Sequence, residues 1–276
     1  TNRPSWTSVI RAIFTRSQAV IPVEAIYPSG TTTEQVNERD SADMQASQQS
    51  AVAAALIQQG NDLPTQLEVS AVQEGSAADG AIEKGDVITA FDGKSLTTNA
   101  DATSLREAVA QHGTSRPATV TVERGGATKE LRVTPRSEQG TALLGVGVTE
   151  RYEFPFKVSI RLQDVGGPSA GMMFALGIID EITPGKLNGG KHVAGTGTIT
   201  ADGEVGPIGG IRQKLYGAAD AGATVFLAPA DNCDEVVGHV PDGLDVYSVA
   251  TLDQAVTDLQ TIADGKSTAK LARCGS

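Results

Sequence analysis

Between Gln66 and Pro135, apolar and polar positions alternate in short runs, LEVSAV, DVITAF, ATVTVER and KELRVTP, interrupted by one helical stretch, SLREAVAQ. A period of two sends successive side chains to opposite faces, so these runs predict half-buried strands. Gly93 and Gly125-Gly126 mark turns between them, and residues 63–137 read as a small, mostly β domain. Ahead of it, residues 1–62 read as a short extended piece, AVIPVEAIYPSG, followed by one long helix. Thr32 and Gln35 fit a capping box, while Gly60 and Pro64 stop the helix. Its thin apolar stripe, Met44, Val52, Ala55 and Leu56, suits packing or a spacer.

From about Thr141 the two periods interleave. KVSIRL alternates Val158, Ile160 and Leu162 as a strand would, and MMFALGIIDEI reads as a helix ended by Pro184-Gly185. VAGTGTIT and EVGPI flank an ADG turn as a hairpin. The helix IRQKLYGAADAG leads to the apolar run TVFLAP, and DVYSV precedes a last helix, TLDQAVTDLQTIA. Strands alternating with helices give an α/β (α+β) domain over residues 138–265, with a polar tail at 266–276.

Composition narrows the function classes. The 276 residues are 39% hydrophobic, enough for one large core or two ordinary ones. Thirty-three acidic against 22 basic residues give a net charge of -11, which argues against a nucleic-acid partner. No run approaches the roughly 18 apolar residues of a membrane span. The start, TNRPSW, lacks the basic-then-apolar order of a signal peptide, so any export signal or anchor is expected to have been removed or never to have existed. Cys233 and Cys274 are too far apart for a redox CxxC and lack metal-ligand spacing. That leaves two free thiols or one disulfide, and neither a metal nor a cofactor is expected.

Candidate chemistry centres on GGPSAGMMFALG, where Ser169 lies between small residues in front of an apolar helix. Gly167 and Ala170 let a substrate backbone approach, Pro168 fixes the helix entry, and the first helical N–H groups favour negative charge. A serine there is also a preferred helix cap. Nucleophilic work requires a base to take its proton and donors to stabilise the oxyanion. Lys214 is the base candidate. On a helical wheel it falls inside the apolar arc of Ile211, Leu215, Ala218 and Ala221. A lysine so placed either snorkels or loses its charge, and burial can carry its pKa from about 10.4 toward neutrality.

Three further patterns compete. G-P-S-A-G satisfies the G-x-S-x-G nucleophile elbow, for which Asp231 or Asp234 and His239 would be the convenient acid and base, with His192 a poorer choice. Ser267 and Lys270 match S-x-x-K without any accompanying KTG. A non-catalytic adaptor on a degenerate protease fold is the remaining class. No G-x-x-x-x-G-K-[ST] is present, so this chain supplies no P-loop.

The run GGPSAG followed by VAGTGTITADGEVGPIGGIRQKLYGAADAGATVFLAP resembles the proteolytic domain of Lon proteases, with its GPSAG serine and GGI-x-x-K lysine. SAADGAIEKGDVITAFDGKSL resembles a PDZ domain; LLGVGV, Leu143 to Val148, supplies the carboxylate loop of a permuted version. Together they resemble Lon-like, PDZ-containing proteases of the bacterial envelope. The resemblance implies an ATP-independent serine endopeptidase with a Ser169–Lys214 dyad, in which Thr196 supports the lysine amine. Its substrates would be unfolded or extended proteins, and the PDZ-like domain would recruit or gate them through a peptide C-terminus. It further implies a homo-oligomer, an extracytoplasmic site and a membrane anchor outside this chain. Lon proteases usually carry Asp three residues before the serine and commonly Glu where this chain has Gly166 and Thr198.

Overall fold

The computed structural model describes residues 7, 12, 15, 20, 32–138, 140–160 and 167–275. The chain divides into two compact units: residues 60–157, and residues 1–59 together with 158–276. The β-rich unit is therefore inserted, in chain order, into the other. This differs from the boundaries at 62 and 137 read from the sequence: the N-terminal helix belongs with the C-terminal half, and the β-rich unit runs twenty residues further. The predicted AVIPVEAIYPSG extension lies almost wholly outside the described residues.

In the β-rich unit, β1 (Thr65–Val72), β2 (Val87–Phe91), β3 (Lys94–Ser95), β4 (Ala118–Arg124), β5 (Ala127–Val133) and β8 (Val146–Tyr152) form a sheet ordered β5-β4-β2-β1-β8, with β3 paired to β2. A two-stranded ribbon of β6 (Arg136–Glu138) and β7 (Thr141–Leu143) precedes β8. Period-two burial is visible in β4, whose Ala118, Val120 and Val122 face inward. They pack with Leu67, Val69, Ile88 and Phe91 beneath the helix α2 (Ala102–His112), which buries Leu105, Ala108 and Val109. Asp86 is fully buried yet held as a carboxylate, because Arg124 donates from Nε and Nη2 at 2.6 and 2.7 Å and lowers its pKa.

The other unit begins with α1 (Thr33–Gln58), whose predicted capping box forms: Gln35 N donates to Thr32 Oγ1 and Thr32 N to Gln35 Oε1. Residues Ala51 to Leu56 are buried without interruption, so this end is surrounded by protein. It packs against α3 (Gly171–Ile182) and α6 (Leu252–Ala263). A parallel sheet of β9 (Val193–Gly195), β12 (Val225–Pro229) and β13 (Asp245–Val249), ordered β13-β12-β9, forms the other layer. All five residues of β12 are buried, as expected for a central parallel strand.

The ADG hairpin is confirmed but short, with β10 (Thr198–Ile199) paired to β11 (Val205–Gly206). Its expected first residues, Val193 to Gly195, instead run parallel to β12. Helix α4 (Ile211–Asp220) covers the sheet with Ile211, Leu215 and Ala218, while Ala221, assigned to the same arc, is exposed just beyond the helix end. The strand expected at KVSIRL does not form in Lys157 to Ile160, and Arg161 and Leu162 lie outside the described residues. After the short helix α5 (Cys233–Val236), the C-terminal tail returns: Ser248 N donates to Ala272 O, and Cys274 is joined to Cys233 by a disulfide.

Candidate active site

Ser169 does not cap helix α3. The cap position is Ala170, which has no side chain able to accept, and no side-chain cap bond is present there. The serine hydroxyl faces Lys214 instead, with Nζ 2.8 Å from Oγ across 45 residues of sequence. Lys214 comes from the first turn of α4, where the neighbouring Ile211 and Leu215 are fully buried and draw the lysine's face inward. The loop leading into that helix is fixed by buried Asn232, whose amide accepts from Ile208 N and donates to Ile208 O, both at 2.9 Å.

Thr196, 1% exposed, supplies the third group. Its hydroxyl donates to the Ser169 carbonyl at 2.9 Å and accepts from Lys214 Nζ at 3.0 Å. Because its one hydrogen is committed to the serine carbonyl, only lone pairs remain for the lysine. A neutral amine that spends one N–H on Thr196 is left able to aim its own lone pair at the Ser169 hydroxyl. Burial pushes the Lys214 pKa below the ordinary lysine range, since an ammonium loses hydration there. Among the described residues no carboxylate forms an ion pair with it that would restore the charge.

The loop around the serine is held on both sides. Gly197 N donates to Ser169 O at 2.9 Å, while Gly167 N donates to Asp40 O at 3.2 Å. Gly167 has φ +78°, a conformation that disfavours any side chain. The N–H groups of Ser169 and Ala170 meet no acceptor among the described residues, which leaves two donors beside the hydroxyl. Gly166 lies outside the described residues. The rival histidine is engaged elsewhere: His239 Nδ1 is 2.9 Å from Val237 O, in its own turn. Ser267 and Lys270 are both exposed, and Ser267 Oγ only accepts weakly from Ala269 N at 3.4 Å.

In the β-rich unit, a cavity of about 560 Å³ opens between α2 and strand β8. Leu105 and Val109 line it from the helix, Leu144 to Val148 from the strand and the loop before it. Among the described residues strand β8 pairs only with β1 in the sheet, and its other edge faces this groove. The loop carbonyls turn away: Leu144 O accepts from Ala78 N and Gly145 O from Gln73 N, each at 2.9 Å. The Leu144 and Gly145 N–H groups have no acceptor among the described residues. A side chain at Gly145 would put its Cβ 2.2 Å from Ser76 Cβ, so only glycine fits. Arg106, exposed and without an ion pair among the described residues, is the one charged side chain on the groove lining.

Sequence reasoning assembled Ser169, Lys214 and Thr196 but passed over Asn232 and helix α1. Asn232 directly follows an apolar strand and its turn, and Ser47 lies in register with Met44 and Ala51 on one helical stripe. Those placements were the available signals.

Residues 163–261 match the family model of the Lon protease (S16) C-terminal proteolytic domain, and residues 36–134 match that of the PDZ domain. The second match starts inside α1 and stops short of β8, although the structure places α1 in the other unit and β8 in the β-rich sheet. Lon protease 1 of Sorangium cellulosum (strain So ce56) is 40% identical over 93 residues, 33% of this chain and 11% of that protein. Lon protease 1 of Bacillus subtilis (strain 168) is 33% identical over 110 residues, covering 39% and 14%. Lon protease of Campylobacter concisus (strain 13826) is 34% identical over 127 residues, covering 46% and 15%. The chain thus spans only a small part of these relatives. Among solved structures, the PDZ domain of an SdrC-like protein from Listeria monocytogenes aligns with TM-score 0.27 and 15% identity, covering 30% of this chain and 85% of that one. Residues 163–261 are thus similar to a Lon-type proteolytic domain, and residues 36–134 to a PDZ domain.

Proposed function

We propose that the chain is a serine endopeptidase that cleaves extended or unfolded polypeptide through a Ser169–Lys214 dyad, without ATP. The observation that carries this reading is the 2.8 Å approach of Lys214 Nζ to Ser169 Oγ, by an amine whose charged form burial disfavours. The neutral amine takes the hydroxyl proton as Oγ attacks the peptide carbonyl, then returns it to the leaving amine. The Ser169 and Ala170 N–H groups are the candidate donors to the oxyanion. Water hydrolyses the acyl-enzyme, with Lys214 again as base.

The PDZ groove recruits or gates the substrate by adding a peptide strand to the free edge of β8, with the terminal carboxylate at the Leu144–Gly145 amides. ATP independence is part of the proposal, since none of the steps above consumes a nucleotide. A disulfide in a protein of this size supports an extracytoplasmic location. Assembly as a homo-oligomer and attachment through a membrane anchor outside this chain complete the proposal.

The test is covalent labelling. A serine-directed fluorophosphonate is expected to label Ser169 in the wild type and to fail in Lys214→Ala, with casein-like substrate cleaved only by the wild type. Equal labelling of the two proteins would remove the dyad.

A further inference from the structure

We propose that Ser47 is a positioning residue for the nucleophile: by donating to the Pro168 carbonyl, it holds the peptide unit from which Ser169 projects toward Lys214. The proposal rests on the reading of Ser169 and Lys214 as the dyad.

Ser47 lies on α1, 121 residues from Pro168 in sequence, and its Oγ is 3.1 Å from Pro168 O. It is 6% exposed on a stripe otherwise formed by Met44 and Ala51, so its hydroxyl has no water to fall back on. Seven residues earlier, two helical turns along the same face, the Asp40 carbonyl accepts from Gly167 N at 3.2 Å. Helix α1 therefore grips the nucleophile loop at two successive residues, once with backbone and once with a side chain.

The opposite side of the loop is tied separately. The Ser169 carbonyl takes donors from both Thr196 Oγ1 and Gly197 N. The peptide unit after Ser169 is thus tied to the β9–β10 connection, and the unit before it, between Pro168 and Ser169, is tied to α1. Rotating it swings Cα–Cβ of Ser169 and moves Oγ away from an amine that Asn232 and Thr196 hold in place. Approach of the helix is close: a Cβ at Gly171 would come within 2.9 Å of Ser47 Oγ and 2.8 Å of Ile199 Cγ2. Among the described residues only the Gly171 N–H, at 3.2 Å, would remain on the Pro168 carbonyl without Ser47. That bond comes from the first residue of α3, so without Ser47 the Pro168 carbonyl keeps no bond to α1 among the described residues.

The test compares the 276-residue chain with its Ser47→Ala variant in kcat, KM on a short peptide and the rate of fluorophosphonate labelling. Expected is a fall of about tenfold or more in both kcat and labelling rate, with KM unchanged, since the hydroxyl touches no substrate and a small misplacement of reacting groups is costly. Ser47→Thr and Ser47→Val form the control pair: they add equal bulk, and only Thr keeps the donor, so Thr is expected to exceed Val in kcat. Wild-type kcat in Ser47→Ala, or equal rates for Thr and Val, overturns the proposal. Should Ser47→Ala not fold, the Thr and Val comparison decides. If Ser169→Ala or Lys214→Ala retains full activity, the dyad reading falls and this proposal with it; if both are inactive while Ser47→Ala is unaffected, only this proposal falls.

Discussion

Lys214 Nζ stands 2.8 Å from Ser169 Oγ with no carboxylate among the described residues to keep it charged. Its proton affinity is lowered by burial alone. The active form of a general base is the unprotonated one, so kcat/KM is expected to rise with pH through the lowered pKa and to be lost below it. A pH–rate profile that is flat from acid to alkaline conditions would contradict the assignment. Lys214→Arg should not rescue activity, since a guanidinium stays protonated throughout that range.

Thr196 gives its only hydrogen to Ser169 O and accepts from Lys214. In Thr196→Val the bulk stays while both bonds vanish, so kcat is expected to fall by about ten- to a hundredfold at nearly constant KM. Thr196→Ser keeps the hydroxyl and is expected to recover most of that loss. Steady-state kinetics of the two variants, with circular dichroism to verify folding, makes the comparison.

Arg106 is the charged member of a groove otherwise lined by Leu105, Val109 and Val146. A peptide with a free C-terminus, an apolar last residue and an acidic residue upstream is expected to bind more tightly than its lysine counterpart. Arg106→Glu should reverse the preference, and amidating the peptide terminus should weaken binding to both proteins. Fluorescence anisotropy with the four peptide and protein pairings measures this; indifference to the Arg106→Glu exchange would remove the electrostatic part.

The disulfide between Cys233 and Cys274 closes a loop of 41 residues, and beside it Arg273 stacks 4.6 Å over Tyr247 and pairs with Asp245 at 3.0 Å. Restricting the unfolded chain in this way contributes roughly 3 to 4 kcal/mol. Cys233→Ser with Cys274→Ser is expected to lower the urea midpoint, and adding reductant should lower the wild type but not the double variant. Activity per folded molecule should change little, because the Ser169 loop makes no bond to this tail among the described residues.

How much of this was readable in the chain depends on whether a side chain's partner is local. The alternations in Ala118 to Arg124 and Leu67 to Val69, the Thr32 cap and the apolar face of α4 report their own element's burial, and each appears in the structure, while past Val69 the β1 alternation breaks at a register shift. Lys214 was legible for the same reason, as a charge in an apolar arc. Helix α1 packs, as its stripe predicted, but how deeply was not legible: Ala51 to Leu56 are buried all round, which leaves no polar face to set the period. The bond from Ser47 to Pro168 spans 121 residues with a whole unit inserted between, and no local pattern encodes that distance. KVSIRL shows the opposite failure: alternation is present in Val158 and Ile160, but Lys157 to Ile160 pair with no strand among the described residues.

Asp258 is 4% exposed within α6, and its Oδ2 meets no hydrogen-bond partner among the described residues. Burial raises its pKa because the carboxylate loses hydration and gains no cation in return. The consequence for stability follows from which state binds the proton more tightly. Between the ordinary value of 3.8 and the raised one, the folded chain stays protonated while the unfolded chain ionises. Stability from this group is therefore complete below 3.8 and is lost progressively as pH rises toward and through the folded pKa. Asp258→Asn removes the ionisation at nearly equal volume. It is expected to stabilise the protein by about 1 kcal/mol at pH 7, where ionisation of Asp258 favours the unfolded wild type, and to bring no gain at pH 3, where the folded wild type is already neutral. Thermal denaturation of both proteins across that pH range reads the difference directly. A gain that is the same at both ends would mean the side chain acts through packing rather than through its proton.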